Sequence, residues 1–370
     1  MESTETIEIE TGTFGCTNCG ANLNYKPGTK NLTCEYCSTE NEIPDLGVKI
    51  EELNFHDYLT KKPVSENSYS ETYVKCNGCG ASSSIEPNIT ASSCPYCSTP
   101  LILDQAKEEN IIEPKSLLPF KIEKKQAKDG VKKWVKKLWF APSVLQKSAL
   151  NFDRFKGVYM PYWTFDLDTV SNYVGQRGDY YYVSESYTAT ENGKTVTKTK
   201  RVRRIRWCFV NGAVAHFFDD IITPASNSLP EKYVSKLEPW DLENLVPFNK
   251  SYLSGFISEK YQIGLEDGFS TAKSTADQEI KSLVKRNIGG DEQRIMSLNT
   301  NYKDISFKHL LLPVYVSAYK YKNKLYRFLV NGRTGEVQGE RPYSWIKITL
   351  TVLLGIVLIS ILMLYLELNK

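Results

Sequence analysis

The chain has 370 residues, in which 46 lysines and arginines nearly balance 43 acidic residues. This length exceeds one average domain, so we expect two to four structural units, and the near-neutral charge favours no particular class of partner. The acidic segment 1–10 has no basic region followed by an apolar run, so we expect no secretory signal. In the cytosol, the nine cysteines are more typical of metal ligands than of disulfides.

Two segments near the N-terminus, 14–43 and 74–103, superimpose without a gap. Each contains two CxxC pairs separated by fourteen residues. A glycine follows the first pair in both copies, and a Ser-Thr dipeptide follows the second. The sequence therefore contains an internal duplication, whose matched cysteines are Cys16, Cys19, Cys34, Cys37, Cys76, Cys79, Cys94 and Cys97.

The spacing of these cysteines predicts two zinc ribbons. In a CxxC turn two thiolates converge on one ion, and two such turns joined by a short hairpin close a tetrahedral site that suits Zn²⁺. Disulfides and an iron–sulfur cluster are the alternatives; the cytosol disfavours the first, and the repeated ribbon spacing disfavours the second. Four thiolates leave no open position for water, so we expect two structural Zn²⁺ ions and no catalytic one.

The segments that follow the two predicted ribbons have a different composition and different predicted secondary structure. Segment 45–69 is a polar linker, within which we predict a short helix over 49–58. Segment 122–140 combines apolar residues at helical spacing with seven lysines, which predicts a basic amphipathic helix, and Pro142 can start a second helix that runs to Leu150. The basic helix could lie on anionic lipid, bind nucleic acid, or be a solvated helix whose tryptophans pack into the domain.

A long hairpin is predicted over 173–218, a stretch rich in Tyr, Val and Thr with an Asn192-Gly193 turn in its middle. Its returning strand carries the densest positive patch of the chain, a candidate contact for phosphate, lipid headgroups or another anionic partner; a solvated arm is the other interpretation. Because side chains alternate along a strand, not all of these cations can share one face. They are Lys198, Lys200, Arg201, Arg203, Arg204 and Arg206.

No catalytic constellation is evident in the sequence. Gly193-Lys194-Thr195 resembles the end of a nucleotide-binding loop, but the earlier glycine is missing and the context is a hairpin. Cys208 and His216 have no nucleophile elbow or oxyanion loop nearby. We therefore expect no enzymatic activity and no small-molecule substrate.

The C-terminal part predicts further regular structure and then a membrane helix. We predict an amphipathic helix over 270–288 and strands over 311–321 and 324–331. Segment 348–366 has nineteen residues without a charge, about 28 Å of helix, which matches the hydrocarbon core of a bilayer. Cations are more numerous before this segment than after it, so we expect the bulk of the chain to face the cytoplasm from a single-pass anchor in the cell membrane.

The predicted fold class is α+β: two tandem small zinc ribbons, a mixed, β-rich central domain and one C-terminal transmembrane helix. The predicted boundaries are an N-terminal tail (1–13), zinc ribbon 1 (14–44), a linker (45–69), zinc ribbon 2 (70–104), a basic helical segment (105–155), the α+β domain (156–342), the transmembrane helix (343–366) and a tail (367–370).

Several longer motifs give the chain a wider resemblance. They are the paired CxxCG turns, LPFKI at 118–122, WFAP at 139–142, YMPYWTFD at 159–166, LLPVY at 311–315 and LVNGRTGEVQGERPYS at 329–344. Over most of its length the chain resembles the bacterial TFIIB-type zinc-ribbon membrane proteins of the YdjG-like family. This resemblance implies partners among the PspA-like and SPFH-like proteins of membrane-stress systems, and it implies no catalytic residues.

We therefore expect a membrane-anchored adaptor that faces the cytosol, in which the ribbons dock a protein partner at the bilayer. The alternative is a membrane-tethered nucleic-acid binder, in which the ribbons and the strand over 198–206 contact phosphates. The ribbons themselves are poor in lysine and arginine, which favours the adaptor.

Overall fold

A computed structural model describes the chain over residues 14–45, 47–60, 68–85, 92–102, 104, 106–142, 155–191, 194–321 and 324–368. Within these ranges the protein has a β-rich α+β fold with one apolar C-terminal helix, as predicted. The predicted N-terminal tail, the predicted helix from Pro142 to Leu150 and the Asn192-Gly193 turn lie wholly or mainly outside the described residues.

The strands and helices are numbered in chain order. They are β1 (Leu23–Tyr25), β2 (Asn31–Cys34), β3 (Glu40–Glu42), β4 (Leu53–Asn54), α1 (Phe55–Thr60), β5 (Ser68–Lys75), β6 (Ser82–Ser84), β7 (Lys107–Ile112), β8 (Ser116–Leu117), α2 (Lys124–Lys136), β9 (Lys156–Glu191), β10 (Lys194–Pro224), α3 (Glu231–Val234), β11 (Val246–Pro247), β12 (Ile257–Ser258), α4 (Leu265–Ile288), β13 (Glu292–Tyr321), β14 (Lys324–Asn331), β15 (Val337–Gly339) and α5 (Trp345–Leu368).

Each four-cysteine segment contributes to a small three-stranded sheet. The first has the order β1-β2-β3, and the turn after β1 is Lys26-Pro27-Gly28, where Gly28 adopts a left-handed conformation (φ +79°) that glycine tolerates best. The second sheet has the order β6-β5-β7. It is larger than the predicted second ribbon, because β5 begins inside the predicted linker and pairs with β7, which lies beyond residue 104.

A nine-stranded sheet forms the centre of the protein, with the main order β10-β9-β13-β14-β15. The hairpin of β9 and β10 was predicted, but it is longer than 173–218, since the two strands contain 36 and 31 residues. β13 pairs with β9 from Glu292 opposite Gly178 onwards. Among the described residues, the parts of β9 and β10 beyond this pair, 179–191 and 194–206, pair only with each other. This two-stranded arm extends about 40 Å past the three-stranded region.

The helices α1 and α2 and the strand β13 differ from their predicted bounds. The linker helix α1 begins at Phe55, not at residue 49, because β4 pairs with β13 immediately before it and Asn54 Oδ1 accepts a hydrogen bond from Asp57 N at 3.0 Å. The basic helix α2 stops at Lys136, where the backbone tightens into short turns. β13 begins nineteen residues before the predicted strand at Leu311, because its first half is polar and exposed on one face.

Helix α4 begins at Leu265, five residues before the predicted start. The sequence predicted a later start because Gly268 lies in the first turn and glycine is a poor helix former. The structure gives Gly268 a packing role: a Cβ atom here would lie 2.6 Å from the indole of Trp163. The helix covers one face of the sheet with a row of buried residues, which are Leu265, Ala272, Ala276, Ile280, Val284 and Ile288.

The two cysteine segments pack on opposite faces of the central sheet. Alternate residues of β9, β13 and β14 belong to two different cores, as expected for side chains that alternate across a strand. The first cysteine segment packs in a core with Tyr159, Leu311, Tyr315, Phe328 and Val330. The second packs in a core with Val158, Met160, Leu310, Leu312, Val314, Val316 and Leu329. Both segments are therefore parts of the central fold.

Candidate metal centres and their surroundings

The structure brings all eight predicted cysteine ligands into two groups of four. Within each group the Sγ atoms lie within 4.8 Å of one another. In the first, Cys16 Sγ is 3.5 Å from Cys37 Sγ, and Cys19 Sγ is 3.5 Å from Cys34 Sγ. The matching pairs of the second group have the same separations.

These distances fit a four-thiolate metal site. A Zn²⁺ ion with Zn–S bonds of about 2.3 Å requires thiolates about 3.8 Å apart in a tetrahedron. A disulfide requires sulfurs about 2.05 Å apart. The donor set and the spacing therefore suit a tetrahedral metal ion with soft ligands at each centre, and the eight thiols are free of disulfides.

The backbone of each cysteine turn points towards the sulfurs. Asn18 N donates to Cys16 Sγ at 3.4 Å, and Gly78 N donates to Cys76 Sγ at 3.3 Å. Gly20 and Gly80 then close these turns with left-handed backbone conformations (φ +72° and +80°). These hydrogen bonds stabilise the thiolate form, which is the form that binds a metal.

The Ser-Thr dipeptide of the first segment performs the same task at its second turn. Ser38 adopts φ +58° and closes the turn, and the hydroxyl of Thr39 lies 3.1 Å from Cys37 Sγ. Hydrogen bonds from the hydroxyl and backbone of Thr39 lower the pKa of Cys37 to about 6. In the second centre Thr99 Oγ1 lies 3.2 Å from Cys97 Sγ. The repeated dipeptide was visible in the sequence, and in both copies the structure places its threonine hydroxyl beside the last cysteine sulfur.

The first cysteine segment is held by its hairpin. The ring of Tyr25 is buried in the core, and its backbone N–H donates to Ser254 O at 3.0 Å. Gly28 N donates to Phe120 O at 2.8 Å. At the second cysteine turn, 34–37, the side chain of Tyr36 at the tip is 84% exposed.

The second cysteine segment, unlike the first, is held through its second turn, 94–97, in addition to its strand β6. Tyr96, the counterpart of Tyr36, is fully buried, and its hydroxyl donates to Glu259 Oε2 at 2.5 Å. Arg327 Nε donates to Tyr96 O at 3.2 Å, and Lys156 Nζ donates to Ser93 O at 2.8 Å. Two copies of one motif thus use different surfaces to contact the same sheet.

Glu259 is the residue of this region that sequence reasoning missed. It is buried, accepts hydrogen bonds from Tyr96, Ser226 and Ser228, and burial raises its pKa to about 7. No local pattern marks it, because its partner Tyr96 lies 163 positions away in the sequence.

The six predicted basic residues lie on the two-stranded arm and do not form one patch. The strand register places Lys198, Lys200, Arg204 and Arg206 on one face and Arg201 and Arg203 on the other, as the alternation argument predicted. Arg204 pairs with Glu185 at 2.5 Å. The guanidinium groups of Arg201 and Arg203 lie over the rings of Tyr182 and Tyr180, 5.0 and 4.3 Å from the centroids.

The structure does not bring Cys208 and His216 together as a nucleophile and base. Both lie on β10 at positions eight residues apart, which separates their Cα atoms by about 26 Å in a strand. Cys208 is exposed, and its Sγ lies 3.6 Å from Arg177 O.

Among the described residues, α5 is the one helix long and apolar enough to cross a membrane. Its first turn contacts the segment that follows α2. Ser344 N donates to Phe140 O at 2.7 Å, and Lys347 Nζ donates to Ala141 O at 2.8 Å. Trp139, in the same segment, is 74% exposed. The end of the basic helix therefore lies beside the start of the apolar helix.

The fold and its centres define a β-rich α+β protein with two candidate four-cysteine metal sites and one apolar C-terminal helix. Over 335 residues, 90% of either chain, it is 27% identical to an uncharacterized protein named YdjG from Bacillus subtilis. No protein-family model and no solved structure matches the chain. The similarity to YdjG agrees with the resemblance seen in the sequence.

Proposed function

We propose that the protein is a membrane-anchored adaptor that recruits a protein partner through the exposed turn 34–37 of its first zinc ribbon. The observation that carries this proposal is the contrast between Tyr36 and Tyr96. In the second copy of the duplicated motif the tyrosine packs in the core, whereas in the first copy it is exposed to solvent on a turn that the hairpin holds in place.

The exposed turn has the properties of a protein contact. An aromatic side chain on a rigid turn offers a large contact area with little loss of conformational entropy on binding, and tyrosines are frequent among the residues that dominate interface energies. The hairpin contacts of Tyr25 and Gly28 hold the ribbon in place, so the turn is preorganised. Zn²⁺ is the proposed ion at both centres, and its role is structural because four thiolates complete its coordination.

The proposed location is the cytoplasmic face of the cell membrane, with α5 as a single-pass tail anchor. Arg341 and Lys347 flank the start of the helix, and Trp345 with Tyr343 suit the interface between water and lipid. On the resemblance to YdjG-like proteins, the proposed partners are PspA-like and SPFH-like proteins.

Tyr36→Ala is expected to reduce partner recovery at least about tenfold, since truncation of a central interface aromatic costs about 2 kcal/mol or more. The measurement is purification of the tagged full chain from its own membranes in mild detergent, with and without nuclease, followed by identification of the bound components. Phe217→Ala is the matched control, because Phe217 is also an exposed aromatic but lies on β10. Equal recovery with both variants would contradict docking at Tyr36.

Nucleic-acid binding is the second candidate function, and the stacked arginines of the arm favour it. Arg201 and Arg203 present their guanidinium groups on one exposed strand face beside tyrosine rings, an arrangement that suits phosphates and unpaired bases.

If the arm binds nucleic acid, R201Q/R203Q should weaken binding of single-stranded oligonucleotides and lower the steepness of its salt dependence by about two counterions. A gel-shift series over salt concentration with the full chain measures both quantities. K281Q/K285Q, which removes the same charge from the exposed side of α4, is the control. Absence of measurable binding by the unmodified chain at low salt would eliminate this candidate.

A further inference from the structure

An open cavity of about 570 Å³ lies beside the segment that leads into α5. Four cations line it: Lys232 of α3, Lys236 in the turn after α3, Lys324 at the start of β14, and Arg341. Glu340 is the one carboxylate among its described lining residues. Four positive charges against one negative charge give the cavity a strongly positive field.

These cations are not neutralised within the described part of the chain, where none of the four forms an ion pair. Nearby Arg333 differs, since Asp241 binds it at 2.6 Å. Aromatic rings support the cations instead: Lys232 Nζ lies 4.8 Å from the ring centroid of Tyr233, and Arg341 Cζ lies 5.4 Å from that of Tyr343. Such contacts leave donor N–H groups available for an anion.

The cavity also lies at the right depth for a lipid headgroup. Tyr343, one of its lining residues, precedes the first residue of α5 by two positions, a distance of about 7 Å in extended chain. The polar interface of a bilayer is about 6 Å thick on each side of the hydrocarbon core. If Trp345 marks the edge of the hydrocarbon, the mouth of the cavity opens among the phosphates of the membrane that holds α5.

We propose that this cavity binds the phosphate of an anionic phospholipid headgroup, with Lys232, Lys236, Lys324 and Arg341 as its donors. The proposal rests on the membrane anchoring proposed above and is independent of the protein partner. Basic pockets beside a membrane helix on the cytoplasmic side are suited to such headgroups. A bound anionic lipid would fix the central domain in one orientation against the bilayer, which would in turn orient the exposed turn of the first ribbon.

The test is native mass spectrometry of the full chain in a neutral detergent, titrated with dioctanoyl phosphatidylglycerol. Dioctanoyl phosphatidylcholine tests charge preference, and inorganic phosphate tests for a site that takes soluble anions. The variant is K232Q/K236Q/K324Q. The control, K281Q/K285Q/K303Q, removes the same charge from exposed positions on α4 and β13. Zinc content and thermal melting verify that both variants are folded.

We expect the unmodified chain and the control to retain phosphatidylglycerol in preference to phosphatidylcholine. The cavity variant should bind phosphatidylglycerol at least roughly tenfold more weakly. Equal binding by the cavity variant and the control would overturn the proposal. Inorganic phosphate that displaces the lipid at equal concentration would overturn the lipid assignment in favour of a soluble anion. Alkaline carbonate extraction tests the anchor separately: release of the unmodified chain would refute the anchor, whereas loss of lipid by a membrane-retained variant supports the cavity.

Discussion

Cys94→Ser is expected to remove one of the two zinc ions proposed above and to destabilise the central sheet together with the second cysteine segment. Cys94 is buried in the same core as Met160 and Leu312 of the long strands, so the metal centre and the sheet cannot lose their structure independently. Metal binding supplies most of the folding free energy of small four-cysteine units. We expect a loss of at least about 3 kcal/mol, or a fall of about 4 °C in melting temperature for a protein of this size.

Metal analysis and thermal melting of the purified full chain measure the two effects. Cys208→Ser is the matched control, because Cys208 is an exposed thiol outside both four-cysteine groups; it should retain two ions and an unchanged melting temperature. An unaltered melting temperature for Cys94→Ser, with one ion lost, would show that the second ribbon is independent of the sheet.

The two four-cysteine clusters could be predicted from the sequence because their geometry is local. Two CxxC turns around a hairpin define four ligands within about twenty residues, and turn chemistry fixes where the sulfurs point. The α+β class, the long hairpin and the apolar C-terminal helix were equally accessible, since each rests on a periodicity or on composition.

The placement of the ribbons could not be predicted, because it depends on contacts distant in sequence. Tyr36 and Tyr96 occupy matching positions in almost identical tripeptides, Cys-Glu-Tyr and Cys-Pro-Tyr. Their burial differs because Tyr96 donates a hydrogen bond to Glu259, which the pairing of β12 with β9 places beside it. Likewise, the cavity beside α5 gathers cations from α3, β14 and the segment after β15, and no local pattern connects them.

The duplication provides its own matched pair for a test of this placement. Tyr96→Ala should destabilise the protein by about 3–5 kcal/mol, because it opens a cavity in the core and removes a donor from the buried Glu259. Tyr36→Ala, the same substitution at the matching position, should change stability by less than about 0.5 kcal/mol, since this side chain is exposed. Denaturant unfolding of the full chain in neutral detergent measures both differences.

The corresponding phenylalanine variants measure how much the tyrosine hydroxyl alone contributes to stability. Tyr96→Phe keeps the ring but leaves Glu259 with one donor fewer, and we expect a cost of about 1–3 kcal/mol; Tyr36→Phe should be neutral. Neither residue is a metal ligand, so all four variants should retain two zinc ions. Equal destabilisation at the two positions would mean that both turns are packed against the domain. The first ribbon would then have no exposed turn to offer a partner, and the adaptor would need another docking surface.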